Sequence, residues 1–208
     1  MPTRAVIVDA VRSPMGRGKP TGALAGLHPA DLLAQVLSAL VDRSSLDPAL
    51  VDDVLIGCVG GAGEQSATPG RQALLAAGWP TSVPSVTIER KCGSGQQAVE
   101  VAAAGIVAGL YDIAVAGGVE SMSRVPLGSA RMGADPFGAG VRERFPVLIP
   151  QGVSAELVAQ RVESQPRGAG RVRRAVARAG GGDSRRRRVQ GRDRPYHGVV
   201  GRRSHRGG

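Results

Sequence analysis

The chain has 208 residues and a formal net charge of +10, and the excess of positive charge lies entirely in its last segment. Residues 1–162 carry 13 Lys and Arg against 14 Asp and Glu, whereas residues 163–208 carry 14 Arg against three acids. The basic isoelectric point therefore does not indicate a basic binding surface on a folded domain. The chain also lacks the apolar run of about 18–20 residues that a membrane span needs, and its two cysteines are too few for an exported disulfide framework. We expect a cytoplasmic protein with reduced thiols.

Strand and helix patterns alternate through residues 1–120. Short apolar, β-branched runs predict strands, and apolar residues at helical spacing predict helices. In chain order, the patterns predict a strand at 5–11, a helix at 31–41, a strand at 51–59, a short helix at 71–77, a strand at 85–88, a helix at 93–110 and a strand at 113–116 that ends in Gly117-Gly118. This alternation predicts an α/β fold with a mostly parallel sheet covered by helices, since the strands are almost continuously apolar.

The periodicity is lost from residue 121 to residue 150, where Gly, Pro, Arg and Ser dominate. We interpret this stretch as a loop excursion from the sheet. A helix is predicted to return at 154–161, with Ser154 as its N-cap and the acidic Glu156 in its first turn. The predicted organisation is an α/β core at 1–120, the excursion and returning helix at 121–162, and a tail at 163–208. The tail has no Leu, Ile, Phe, Met or Trp, so we expect it to be disordered.

Cys92 stands where a predicted strand passes into a predicted helix, directly after Arg90 and Lys91 and before Gly93. The positive end of the helix dipole and the two cationic side chains favour a thiolate, which is a nucleophile suited to acyl transfer. Gly93 and Gly95 leave room for an acyl group, and the amide N–H of Cys92 is placed to donate to an oxyanion. The alternative is that Cys92 is a small buried residue and the glycines are packing points.

The segment VTIERKCGSGQQAVEVAAAGIVAG, followed by DIAVAGGVESMSRVP, resembles the nucleophile region of the thiolases, which make or cleave β-ketoacyl-CoA thioesters. Three further blocks extend the resemblance over residues 3–161: AVIVDAVRSPMGRGKPTGALAGLHPADLLAQVL, VDDVLIGCVGGAGEQ and IPQGVSAELVAQR. Within the family, GCVGGAGEQ and GGVESMSRVP most resemble degradative members that act on lipid or sterol side chains. The resemblance implies a thiolase-like fold and an acyl-CoA C-acyltransferase.

The resemblance also assigns roles to individual residues. It makes Cys92 the thiol that takes the acyl group and passes it to coenzyme A, with the Cys92 backbone N–H as an oxyanion donor. It places Ser121 and Met122 beside the acyl pocket, although core packing is an alternative for Met122. Biosynthetic relatives have His-Met-Gly where this chain has Pro150-Gln151-Gly152, which disfavours a short-chain biosynthetic substrate. Coenzyme A is expected as a substrate, with no cofactor or metal, and the family implies a homo-oligomer, dimeric or tetrameric.

The chain departs from the family in its second half. Thiolases continue with an Asn-Glu motif, a Gly-His-Pro histidine that activates the nucleophile, and a second Cys between glycines. None of these motifs occurs here, and the three histidines are His28, expected at the surface before a helix, and His197 and His205 in the tail. Cys58, at the end of a predicted strand, is interpreted as a core residue. We therefore expect the chain to be inactive as it stands, and a non-catalytic interaction remnant is the alternative.

The composition of the tail supports two hypotheses. Arg, Gly, Ala, Pro and Val have codons rich in G and C, so a frameshift near residue 162 of a GC-rich gene would produce such a segment. Alternatively, Arg185 to Arg188 bind nucleic acid phosphates, although Tyr196 is the only Phe, Tyr or Trp in the tail that could stack on a base. Resequencing the coding DNA separates these hypotheses.

Overall fold

The computed structural model describes residues 4–162 and 199–202. Residues 4–133 with 199–202 belong to one compact unit, and residues 134–162 belong to another. In chain order, the helices and strands are α1 (Pro29–Ser44), β1 (Asp53–Gly57), α2 (Pro69–Ala76), β2 (Ser85–Ile88), α3 (Ser94–Ala108), β3 (Ile113–Gly118), α4 (Gly138–Arg144), α5 (Gln151–Arg161) and β4 (Val199–Arg202). Short 3-10 helices occupy Pro48–Leu50, Gly63–Gln65 and Ser129–Arg131.

The four described strands form one sheet in the order β2-β1-β3-β4. Strand β1 pairs in parallel with both β2 and β3, and β4 is antiparallel to β3. Gly57, the last residue of β1, pairs with Ile88 on one side and Gly118 on the other, so the carboxyl ends of the three parallel strands lie level with each other. The prediction of a mostly parallel sheet with helices is confirmed.

Helices cover both faces of this sheet because the strands are apolar on both faces. On β1, Val54 and Ile56 pack with α1 and α2, whereas Leu55 between them packs with α3. The first cluster includes Leu33, Leu37, Leu40, Ala73, Leu74, Trp79 and Val115. The second is built largely of alanines, namely Ala98, Ala102, Ala114 and Ala116, with Leu55 and Ile106. The small side chains of the second cluster let α3 pack close to β1 and β3.

The predicted strand at 5–11 is wrong. Of residues 5–11, only Ile7 makes an isolated bridge, and Val6, Ile7 and Val8 are about half exposed. The β-branched composition favours an extended chain, but no described strand pairs along its length, and a strand needs such a partner.

Two helix starts differ from the sequence predictions. Helix α1 begins at Pro29, with His28 as the N-cap, whose Nδ1 accepts a hydrogen bond from the Ala30 amide at 3.2 Å. Helix α5 begins at Gln151, so Ser154 lies inside it, and the Ser154 hydroxyl donates to the Pro150 carbonyl at 3.3 Å. The N-cap prediction for Ser154 is therefore wrong, because the helix already begins three residues earlier, at Gln151. The stretch 121–150 also contains the short helix α4, which its Gly-rich sequence did not predict.

Residues 163–198 and 203–208 lie outside the described residues, and with them lie most of the predicted disordered tail and the Arg185–Arg188 segment. Residues 199–202 form strand β4, where the average composition of the tail predicted no secondary structure. The adjacent Val199 and Val200 have the β-branched side chains that favour a strand. Among the described helices, none combines the length and the apolar character that crossing a membrane requires.

Candidate active site

The carboxyl ends of the three parallel strands define one edge of the sheet. Cys58 directly follows β1, Cys92 follows β2 by a short turn, and Ser121 and Met122 follow β3. In open α/β sheets this edge is where ligands bind, because the strand ends and the loops after them create a crevice. The fold therefore brings the sequence-predicted site residues to one edge of the sheet.

Cys92 lies on a tight turn between β2 and α3. Lys91 has a φ of 50°, in the left-handed region, which reverses the chain just before the cysteine. The buried Ser94 hydroxyl closes the turn, since it accepts from the Arg90 amide at 2.8 Å and donates to the Lys91 carbonyl at 2.6 Å. The Cys92 thiol itself is exposed. The turn thus presents a solvent-accessible thiol two residues before the first residue of α3, near the positive end of its dipole.

The two cations beside Cys92 are paired elsewhere. The Lys91 ammonium lies 2.9 Å from the Glu89 carboxylate, and the Arg90 guanidinium donates to Gln97. The hydrogen bond from Lys91 holds the pKa of Glu89 below its ordinary value. The sequence predicted that both cations support a thiolate, but each has a partner of its own in the structure. The charged feature left nearest to the thiol is therefore the N-terminus of α3.

The first turn of α3 lies directly against the end of β1. A Cβ at Gly57 would lie 2.5 Å from the Gly95 nitrogen and 2.6 Å from the Ser94 carbonyl carbon. No side chain fits there, because the obstacle is backbone that cannot turn aside. By contrast, a Cβ at Gly95 would meet its nearest atom at 3.9 Å, and one at Gly93 at 3.4 Å. The sequence singled out Gly93 and Gly95, but Gly57 is the glycine that the close approach requires.

Cys58 has the opposite environment to Cys92. Its side chain is buried, and the Gln65 amide nitrogen lies 3.4 Å from its sulfur. Burial raises the pKa of the Cys58 thiol to about 11, and the negative charge of Glu120 acts in the same direction. A thiol with this pKa stays protonated at neutral pH, so Cys58 is a core residue, as its sequence position predicted.

Gln65 and Glu120 form a polar network that sequence reasoning missed. The Glu120 carboxylate accepts from the backbone amides of Val59 at 2.7 Å and Gly60 at 3.1 Å, and from the Gln65 side chain at 2.9 Å. Gln65 also donates to the Gly60 carbonyl at 2.9 Å, and its side-chain oxygen accepts from the Ser121 amide at 2.7 Å. The available signal was positional, since both residues follow the carboxyl ends of strands within the blocks that resemble thiolases.

Ser121 and Met122 occupy the turn after β3. Ser121 is buried, and its carbonyl accepts from the amides of Arg124 at 3.0 Å and Val125 at 2.8 Å. Met122 is 42% exposed, so it does not belong to the described core. A Cβ at Gly18 would lie 3.0 Å from the Met122 Cβ, which means that the loop around Gly18 packs against the turn. An exposed, flexible thioether beside a buried serine is suited to contacting an apolar ligand.

Comparisons with known proteins identify relatives of this chain. A family model described as the N-terminal domain of thiolases matches residues 5–166. The steroid 3-ketoacyl-CoA thiolase FadA6 of Mycobacterium tuberculosis is 48% identical over 136 residues, which cover 65% of this chain and 33% of that protein. The peroxisomal 3-ketoacyl-CoA thiolase 5 of Arabidopsis thaliana is 43% identical over 158 residues, which cover 75% of this chain and 34% of that protein.

Among solved structures, the acetyl-CoA acetyltransferase of Bacillus anthracis superposes with a TM-score of 0.63 at 37% identity, covering 78% of this chain and 43% of that one. The chain spans about a third of the length of the curated relatives named above. The resemblance drawn from the residues is confirmed over nearly the whole described part. The chain therefore belongs to the thiolase family, in which it matches the N-terminal domain.

Proposed function

We propose that the chain derives from a thiolase that transfers an acyl group between a β-ketoacyl-CoA and coenzyme A through an acyl-enzyme on Cys92. The observation that carries the proposal is the exposed Cys92 thiol on a closed turn before α3, at the strand edge where ligands bind. The similarity to a steroid 3-ketoacyl-CoA thiolase supports the degradation of lipid or sterol side chains as its setting. We also propose that the intact protein is located in the cytoplasm and forms a homo-oligomer.

The chemistry follows from the position of Cys92. Its thiolate attacks the keto carbon of the substrate, and the oxyanion that forms accepts a hydrogen bond from the Cys92 backbone N–H. The bond between the α and β carbons then breaks, acetyl-CoA leaves as a carbanion that takes up a proton, and an acyl thioester remains on Cys92. The thiol of coenzyme A attacks this thioester, gives up its proton, and restores the Cys92 thiolate.

The two proton transfers need groups that this sequence does not supply. The Gly-His-Pro motif and the second Cys between glycines, which the family uses for them, do not occur among its 208 residues. The effects of removing residues that act together in catalysis are strongly non-additive, so the loss of the acid and the base removes most of the acceleration of thiolysis. We propose that this polypeptide by itself accepts an acyl group slowly but does not turn over.

Mass spectrometry of the intact chain with octanoyl-CoA tests the proposal. We expect one octanoyl group on Cys92, none on Cys58, and none in the Cys92→Ala variant. We also expect no appreciable thiolysis of a β-ketoacyl-CoA by the same preparation. A folded chain that takes no acyl group on Cys92 would contradict the nucleophile assignment, and robust turnover that depends on Cys92 would contradict the proposed inactivity.

A non-catalytic interaction remnant is the second candidate, and one observation favours it. Helix α3 buries Ala98, Ala102 and Ile106 against the sheet but leaves Val107 55% exposed, and Leu110 just after the helix is 73% exposed. Exposed apolar side chains of this kind mark an interaction surface or an aggregation liability. Analytical ultracentrifugation and a thermal melt test this surface, because a monodisperse monomer with a cooperative thermal transition would count against an exposed apolar interface.

A further inference from the structure

Gln65 and Glu120 link the segment after β1 to the turn after β3, and the bonding pattern leaves them one arrangement. The Gln65 amide nitrogen faces two oxygen acceptors, the Gly60 carbonyl and the Glu120 carboxylate, while its oxygen faces the Ser121 amide. A flipped amide would set oxygen against two acceptors and nitrogen against a donor. The orientation of Gln65 is thus fixed by its partners.

The space around the network is fixed as well. Gln65 is 1% exposed, so any donor or acceptor that it leaves unsatisfied has no access to water. A Cβ at Gly60 would lie 2.7 Å from a Glu120 carboxylate oxygen and 3.1 Å from the Gln65 amide nitrogen. The backbone of Gly60 is therefore wrapped by the two side chains, and the segment after β1 cannot shift without breaking their hydrogen bonds.

The segment held by this network is the one that carries Ser121 and Met122. The Ser121 amide donates to Gln65, and the Ser121 carbonyl closes the turn by accepting from Arg124 and Val125. Arg124 is bonded in turn to Glu64, the residue before Gln65, and to the Ala25 carbonyl at 2.9 Å. An apolar pair in place of Gln65 and Glu120 would fill the volume but would not hold the Ser121 amide at one position relative to Gly60, because apolar contacts are not directional and hydrogen bonds are.

We infer that Gln65 and Glu120 are positioning residues that fix the Ser121-Met122 turn for binding of the acyl chain. The inference rests on the proposed function, since it assigns the turn to the acyl-CoA that Cys92 is proposed to attack. Neither side chain touches the reacting atoms in this scheme. They set where the acyl chain lies relative to Cys92, and so they affect binding of the acyl-CoA more than the reactivity of the thiol.

The first experiment measures amide hydrogen exchange by NMR in the full chain. We expect the Ser121 amide to exchange about tenfold faster or more in Gln65→Met, because that variant removes its buried acceptor. Gln72→Met is the matched control, since Gln72 is exposed and its side chain makes one described hydrogen bond, to the Ala67 carbonyl. Should Gln65→Met fail to fold, Gln65→Asn provides the comparison, because its shorter side chain withdraws the acceptor from Ser121 without burying a second charge, and the same faster exchange is expected.

The second experiment separates positioning from a purely structural role. The rate of Cys92 acylation is measured against octanoyl-CoA concentration, with iodoacetamide labelling of Cys92 in parallel. We expect Gln65→Met to raise the half-saturating concentration about fivefold or more, while its limiting rate and its iodoacetamide rate stay within about twofold of the parent. The double variant Gln65→Glu/Glu120→Gln, which restores a side-chain hydrogen bond with donor and acceptor exchanged, is expected to recover part of the loss.

The possible failures are distinguishable. Unchanged exchange at Ser121 in Gln65→Met overturns the inference whatever the acylation result. An acylated parent with faster Ser121 exchange in the variant but an unchanged half-saturating concentration overturns it too. A parent that is never acylated contradicts the proposed function, whereas faster Ser121 exchange in that case still supports the link between the two segments.

Discussion

The two cysteines follow neighbouring parallel strands at the same edge of the sheet, yet they have opposite environments. Cys58 continues directly from β1 and is 2% exposed, with Gln65 and Glu120 packed beside it. Cys92 follows β2 through a turn in which Lys91 has a positive φ, and its thiol is exposed before α3. Position at a strand end thus does not by itself expose a thiol. The turn that lifts the side chain out of the sheet makes the difference, because it sets exposure and places the thiol near a helix N-terminus.

The largest expected effect is in the alkylation of the two thiols. In the folded chain at neutral pH, we expect iodoacetamide to label Cys92 at least about a hundredfold faster than Cys58, which is buried and stays protonated. Peptide-level mass spectrometry over time gives both rates from one sample. Labelling in urea is the control, where the rates should converge. Equal rates in the folded chain would remove the distinction between the two thiols.

The glycine between β1 and α3 offers the next test. We expect Gly57→Ala to lower the free energy of unfolding by about 1–3 kcal/mol, because the new methyl group would push against the backbone of Ser94 and Gly95. Gly61→Ala is the matched control, since nothing lies within 4 Å of a Cβ there. Urea unfolding followed by circular dichroism measures both. A Gly57→Ala chain as stable as the control would mean that α3 does not lie tightly against β1.

The pKa of Cys58 predicts a loss of stability at alkaline pH. The thiol has an ordinary value of 9.0 and is raised to about 11 in the folded chain, so the unfolded chain loses this proton first. The contribution of Cys58 to stability is therefore complete below about pH 9 and is lost as the pH rises to about 11. Thermal melts across this window should show a falling Tm. Tyr111, whose pKa is also raised by burial, adds a fall in the same direction.

Cys58→Ala isolates the cysteine contribution to that fall. Because the variant keeps Tyr111 and Cys92, the difference between its pH profile and that of the parent belongs to Cys58. We expect the variant to be less stable at neutral pH and to have a shallower decline above pH 9. Parallel profiles for the two proteins would contradict the raised pKa.

The smallest effect concerns the charges around Cys92. Glu89→Gln frees the Lys91 ammonium from its ion pair, which should raise the alkylation rate of Cys92 by less than about threefold, because exposed charges are screened. Glu100→Gln is the control, since Glu100 lies 3.9 Å from Arg90 and not on the turn. A tenfold or larger increase would show that Lys91, rather than the helix N-terminus, controls the thiol.

The sequence predicted the strands β1, β2 and β3 and the helices between them, because each has an apolar pattern that its local residues specify. It failed at residues 5–11, where the pattern favours a strand but pairing along its length depends on a neighbour. It also failed at the start of α5, where Ser154 is a good N-cap residue but the helix already begins at Gln151. Local propensity indicates where a strand or a helix start is possible, and contacts with the rest of the chain decide whether it forms there.

The candidate site divides in the same way. The sequence by itself determined the family and singled out Cys92, Ser121 and Met122, because the order of residues along one segment carries that resemblance. Only the tertiary structure showed that Gly57 admits α3, that Lys91 and Arg90 have partners of their own, and that Gln65 meets Glu120. Gln65 and Glu120 are 55 residues apart in the chain, and a hydrogen bond at that separation exists only after β1 and β3 have paired.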